Sequence, residues 1–179
     1  MFDTNQIFEK YYQKGSPLYE ILTIHSQQVC AKALDIVHRH SELQLDEQFV
    51  AEAALLHDIG IFLCDAPKIH CFGKAQYIEH GYLGADILRK EGLPRHALVA
   101  ERHTGTGISL EQIIQDNLPL PHRSMEPESL EEQVVCYADK FYSKTKLNAE
   151  HSIEKIRNSL LKHGKNHVEK FDKWHVIFG

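Results

Sequence analysis

Ionisable side chains at inward positions of otherwise apolar helices constrain this chain more than any other feature. The stripe Leu18, Ile21, Leu22, His25, Val29, Ala33, Ile36 and Val37 predicts a helix from Pro17 to about His40, with His25 on its apolar face. His57 and Asp58 directly follow the inward residues Phe49, Val50, Ala53 and Leu56. His80 stands between Tyr77 and Gly84, and His103 follows Leu98 and Val99. Asp139 ends the apolar run Val134-Val135-Cys136-Tyr137-Ala138. Taken singly, each has an ordinary explanation as a hydrogen-bonded core residue or a polar helix end. Spread over separate helices, however, they are groups that are costly to bury unless paired or bound to a metal. One polyvalent site would satisfy all of them together.

The remaining punctuation is helical. Ser16-Pro17 reads as an N-cap followed by proline at the first helical position, and Asp46 caps the helix that Gly60 stops. A first short helix is expected over 2–13. Residues 61–75, with Pro67 and Gly73, read as a loop. A helix from about Ala75 to Glu91 ends at Gly92 and Pro94, and a short one over 95–103 ends at Gly105. Ser109-Leu-Glu-Gln112 and Ser129-Leu-Glu-Glu132 have the form of capping boxes. Between them, 117–128 is a proline-rich loop. A last helix is expected over 150–163, followed by a basic tail that ends in Trp174, Val176, Ile177 and Phe178. That apolar end either covers the bundle or forms a homodimer contact. No run of five or more residues alternates clearly with period two. The expectation is an all-α bundle of six to eight helices in a single domain, 1–179, with a metal-binding core over 18–145 and a C-terminal helix and tail over 150–179.

Composition narrows the partners. The net charge is −5 in 179 residues, which provides no overall attraction to nucleic acid or anionic membrane. No apolar run reaches the roughly 18 residues of a membrane span. The N-terminus lacks a basic region followed by an apolar stretch, so a cytoplasmic location is expected. Cys30, Cys64, Cys71 and Cys136 form no CxxC pair, in keeping with reduced thiols. A separate zinc site of Cys64, His70 and Cys71 lacks a fourth ligand. The chain has 13 histidines; of these His38, His40, His96, His151, His163, His167 and His175 are expected on solvated faces.

The order His25, then His57-Asp58 within LLHDIG, His80, His103, and Asp139 within YADK resembles the HD-domain superfamily of metal-dependent phosphohydrolases. It is similar to the subset that binds two metals. The resemblance implies that His25, His57, Asp58 and Asp139 ligate one ion, while Asp58 bridges to a second completed by His80 and His103. It also implies one or two divalent transition metal ions (iron, manganese or cobalt, with zinc possible in chemistry). HGYLGA at His80, RHTG at Arg102 and YADK are similar to the symmetric diadenosine tetraphosphate hydrolases. About 20 extra residues, Ile108–Glu128, depart from that pattern. Ile61 follows HDIG and no GYP occurs, unlike the cyclic-dinucleotide phosphodiesterases.

The implied activity is hydrolysis of a nucleotide or other small phosphate ester by a metal-activated water. Asp58 would help to hold the nucleophile, and cations would neutralise the phosphoryl oxygens. The candidates are Lys140, Arg102, Lys74 and Arg123, in falling order. His122, in the extra segment, and His70 and Cys71, after the HD motif, are candidate lining residues. The alternative is a di-iron oxygenase acting on a small polyol or phosphonate. A regulatory module without catalysis is less favoured, because all six ligands are present.

Overall fold

The computed structural model describes residues 4–179. Among these, nine α-helices follow one another: α1 Thr4–Tyr11, α2 Pro17–Arg39, α3 Glu47–Leu56, α4 His80–Lys90, α5 Pro94–Arg102, α6 Leu110–Gln115, α7 Leu130–Asp139, α8 Ile153–Leu161 and α9 Lys165–Phe178. Residues 2 and 3 of the first expected helix lie outside the described residues. Helix starts follow the expected chemistry. Ser16 accepts from the Tyr19 amide and Asp46 from the Phe49 amide, while Ser109, Ser129 and Ser152 cap α6, α7 and α8 in the same way. Each such cap contributes about 1 kcal/mol. The Ser129 capping box forms only its serine half, for Glu132 accepts instead from the Glu128 amide.

Two expectations need correction. The segment 61–75 is not plain loop: it holds short 3-10 turns and a two-stranded antiparallel ribbon, β1 Asp65–Ala66 against β2 Cys71–Phe72. Two residues per strand are too few for any alternation to register in sequence. The basic tail is helix α9, which takes the count past the six to eight expected. Its charges face solvent, while Phe171, Trp174 and Phe178 are buried at a spacing of three and four.

The apolar interior forms two main clusters. One gathers Ile7, Phe8, Leu22, Leu56, Ile59, Ala97 and Ala100 with the inner face of α4. The other gathers Val29, Ile36, Val50, Ala53, Val134 and Tyr137 with the buried face of α9. Helices α2, α3 and α5 each contribute to both, so a seam crosses their middles. His25 lies between Leu22 and Val29 on either side of that seam. A third, small cluster of Ile108, Ile113, Leu120 and Met125 organises the extra segment, whose ends pair through Ile108 and Met125.

Close backbone approaches hold the seam in register. A Cβ on Gly60 would lie 2.3 Å from the His80 carbonyl oxygen and 2.5 Å from the Gly84 amide nitrogen. A Cβ on Gly81 would lie 2.7 Å from the Ala100 carbonyl oxygen. Only glycine lets the turn after Asp58 lie on α4, and α4 lie on α5.

Phe178→Ala, which empties a fully buried site on α9, should cost about 3–5 kcal/mol. The control Val176→Ser alters a side chain that is 88% exposed and should stay within about 0.5 kcal/mol. Urea unfolding of the two variants checks the packing assigned to α9.

Candidate metal centre

Three histidines are aimed by the same local device. His57 Nδ1 donates to the Ala54 carbonyl at 2.6 Å, His80 Nδ1 to the Tyr77 carbonyl at 2.5 Å, and His103 Nδ1 to the Ala100 carbonyl at 2.8 Å. A carbonyl only accepts, so each Nδ1 carries hydrogen and each Nε2 faces the seam. His57 and His103 stand at the C-caps of α3 and α5, where the helix ends and the chain can turn both rings inward. His80 opens α4. His25, at the middle of α2, is buried.

These side chains converge on two carboxylates. His25 Nε2 lies 3.1 Å from Asp58 Oδ2 and 3.0 Å from Asp139 Oδ1. His57 Nε2 lies 3.0 Å from Asp58 Oδ2 and 3.5 Å from Asp139 Oδ1. On the other side of the same carboxylate, Asp58 Oδ1 is 3.4 Å from Nε2 of both His80 and His103. The structure therefore brings all six sequence-predicted residues together, as two groups that share Asp58: His25, His57, Asp58 and Asp139, and Asp58, His80 and His103.

The donor chemistry fits cations. His80 Nε2 and His103 Nε2 are 3.0 Å apart. Burial first, then the neighbouring His103, pushes the His80 imidazolium down to about 3, and burial also lowers that of His103. Two neutral rings that already donate through Nδ1 present lone pairs to one another and to a carboxylate oxygen. A hydrogen bond cannot satisfy that arrangement, and a divalent cation can. His25 Nε2, His57 Nε2 and Asp58 Oδ1 are likewise buried with no aligned hydrogen-bond partner.

Two lysines complete the charge balance. Lys140 Nζ lies 2.8 Å from Asp139 Oδ2 and donates to the His103 carbonyl at 3.1 Å. Lys144 Nζ lies 2.6 Å from Asp58 Oδ2. Burial opposes ionisation of Asp58, but His57 and Lys144 outweigh it and hold the carboxyl well below the usual range. Asp139 is held low by Lys140, His25 and His57, again against burial. A cleft of about 590 Å³ opens beside Asp139, Lys140, Lys144 and Tyr77. That volume suits a small-molecule site.

Lys144 is absent from the cations expected at the site, although it stands one helical repeat past Lys140. It follows the end of α7, where a tight turn closed by the Ser143–Lys146 pairing carries it back, and no periodicity reports a turn of that kind. Arg102 is a correction: its guanidinium donates to Glu132 at 2.9 Å and lies 3.1 Å from Glu128, tying α5 to the start of α7. Arg123 is bound to buried Glu101, and Lys74 is exposed. His122 and His70 are exposed, and Cys71 is a buried thiol. None of these three lines the cleft, and Cys64, His70 and Cys71 form no ligand group among the described residues. His96 and His167, expected on solvated faces, are buried against Glu52 and Thr106.

Burial opposes protonation of His57, but Asp58 and then Asp139 prevail and raise it to about 9. Below that pH a cation must displace the His57 proton, so affinity should rise as pH rises towards 9. Titration calorimetry with Mn(II) at pH 7.5, in two buffers of different ionisation enthalpy, should show release of about one proton as the first site fills. Release of none would show that His57 is neutral in the metal-free protein.

Residues 22–144 match the HD domain family. An uncharacterized protein of Methanocaldococcus jannaschii is 36% identical over 139 residues, 76% of this chain and 73% of that protein. A tRNA (cytidine(56)-2'-O)-methyltransferase of Thermoplasma volcanium is 30% identical over 165 residues, 91% of this chain but 44% of the relative. A protein of the same name from Picrophilus torridus is 33% identical over 141 residues, 71% of this chain and 38% of the relative. The chain thus spans less than half the length of the two methyltransferases. No solved structure matches. The match to the family covers well over half of the residues, and it places this chain in the HD-domain family, whose members are metal-dependent hydrolases.

Proposed function

We propose that this protein is a metal-dependent phosphohydrolase acting on a nucleotide or another small phosphate ester. One observation carries the reading: two ligand groups share Asp58, and Lys140 and Lys144 stand against their carboxylates where the cleft opens. His25, His57, Asp58 and Asp139 would hold one divalent ion, and Asp58, His80 and His103 a second. When bound, such a pair acts as a Lewis acid on the phosphoryl group and supplies the nucleophile at neutral pH.

The chain's own residues do the rest. Lys140 and Lys144 are ionised, and each is raised by its carboxylate partner against the effect of burial. They can neutralise charge that develops on the phosphoryl oxygens without reorganising. The rings of His57, His80 and His103 are locked by their carbonyl bonds, so the donor atoms stay fixed through the reaction. Tyr77 stacks on His80 and offers part of its ring to the cleft, an aromatic surface for a base. The methyl transfer in the names of two relatives is not carried over, because the match covers less than half of each.

Phosphate release from nucleotides and sugar phosphates, with Mn(II) or Co(II) supplied, tests the reading. Asp58→Ala should abolish release and bound metal together. Lys144→Met should lower kcat by about 100-fold while bound metal is retained. Intact substrates, alongside two bound irons and oxygen uptake, would replace hydrolysis with oxygen chemistry.

A further inference from the structure

The cleft extends past the carboxylates to a wall that the proposed hydrolysis does not use. That wall is helix α8 and the turn just before it. His151, Lys155 and Ser159 all line the cleft and repeat every four residues, so they form one polar stripe. Ile156 and Leu160, buried on the same helix, anchor the stripe to the core. Lys68, in the turn Pro67–Ile69, lines the same cleft.

The charge of this region is unbalanced. Four lysines line the cleft, Lys68, Lys140, Lys144 and Lys155, against one carboxylate, Asp139. Lys140 and Lys144 are spent on Asp139 and Asp58. Lys68 and Lys155 have no ion-pair partner among the described residues. Glu150, beside the stripe in sequence, is paired with Lys32 instead. His151 is fixed by its amide, which donates to the Phe141 carbonyl at 2.7 Å, while its Nε2 is buried and unpartnered. A chain of net charge −5 has no general excess of cations to explain such a local concentration.

We infer that Lys68, His151, Lys155 and Ser159 form a second anion subsite, which binds a phosphate group of the substrate other than the one hydrolysed. The inference rests on the phosphohydrolase reading and narrows it: the substrate is a small ester carrying two separately placed phosphates, not a monophosphate. Lys68 and Lys155 supply charge and Ser159 a hydrogen bond, while His151 completes the lining.

Adenosine 3',5'-bisphosphate and AMP form the test pair, with Mn(II) supplied to the full chain. The KM for the bisphosphate should be at least tenfold below that for AMP. In Lys68→Ala/Lys155→Ala that ratio should collapse towards one through KM, with kcat for the bisphosphate little changed. Lys155→Arg should keep the preference. If neither compound is hydrolysed, calorimetric binding of the same pair decides. A lysine-dependent preference in binding without turnover would uphold the subsite and count against hydrolysis of these esters. Turnover with no preference, or with a preference that survives the double variant, would overturn the subsite and leave the hydrolase reading standing, whereas no turnover together with no preference in binding would overturn both.

Discussion

Asp58 is shielded from solvent, held ionised and approached on both oxygens by nitrogen. A carboxylate in that position costs several kcal/mol unless charge of opposite sign surrounds it. Much of the structure supplies that surrounding. His57 and Lys144 stabilise the ionised form directly, and a cation in each ligand group would do so more completely. Asp139 repeats the arrangement with Lys140, so the two buried carboxylates are each flanked by histidine and lysine. Replacing one partner would leave the others as uncompensated buried charge, so the centre is one electrostatic unit.

The bundle is arranged to make such a centre possible. Two apolar clusters meet along a seam, and the polar groups occupy it where α2, α3 and α5 pass from one cluster to the other. Each cluster excludes water from one side. Gly60 and Gly81 bring the backbones of the HD turn, α4 and α5 within distances that a side chain would forbid. Those approaches set the spacing between Asp58, His80 and His103. The cleft, by contrast, lies at the edge of the seam, where α7 has ended and α8 begins, and Lys68 and Lys155 in its lining are exposed to solvent.

The six candidate ligands are legible in the chain because burial of an ionisable group on an apolar stripe breaks the pattern around it. His25 between Leu22 and Val29, and Asp139 after Val135-Cys136-Tyr137-Ala138, are such breaks. Cap residues are legible for the same local reason: Ser16, Asp46, Ser109 and Ser129 satisfy amides three residues away. Arg102 misleads because sequence proximity to His103 says nothing of direction. Adjacent helical side chains diverge by about a hundred degrees, and Glu132, thirty positions away, captures the guanidinium. His96 and His167 look like surface residues in sequence because their partners, Glu52 and Thr106, lie on other elements.

Local pattern alone encodes the helical class, the starts of most helices and the identity of the buried ionisable set. Periodicity, caps and breaks in polarity each act over a few residues, so the chain carries them before it folds. Packing settles the rest: how the set divides around Asp58, that Lys144 and not Arg102 faces the carboxylates, that α9 closes the core with Phe171, Trp174 and Phe178, and that Lys68 and Lys155 line one cleft. Each of these depends on contacts between residues far apart in the chain. Their geometry is fixed by interdigitating side chains and by close backbone approach, and neither is written in any local pattern.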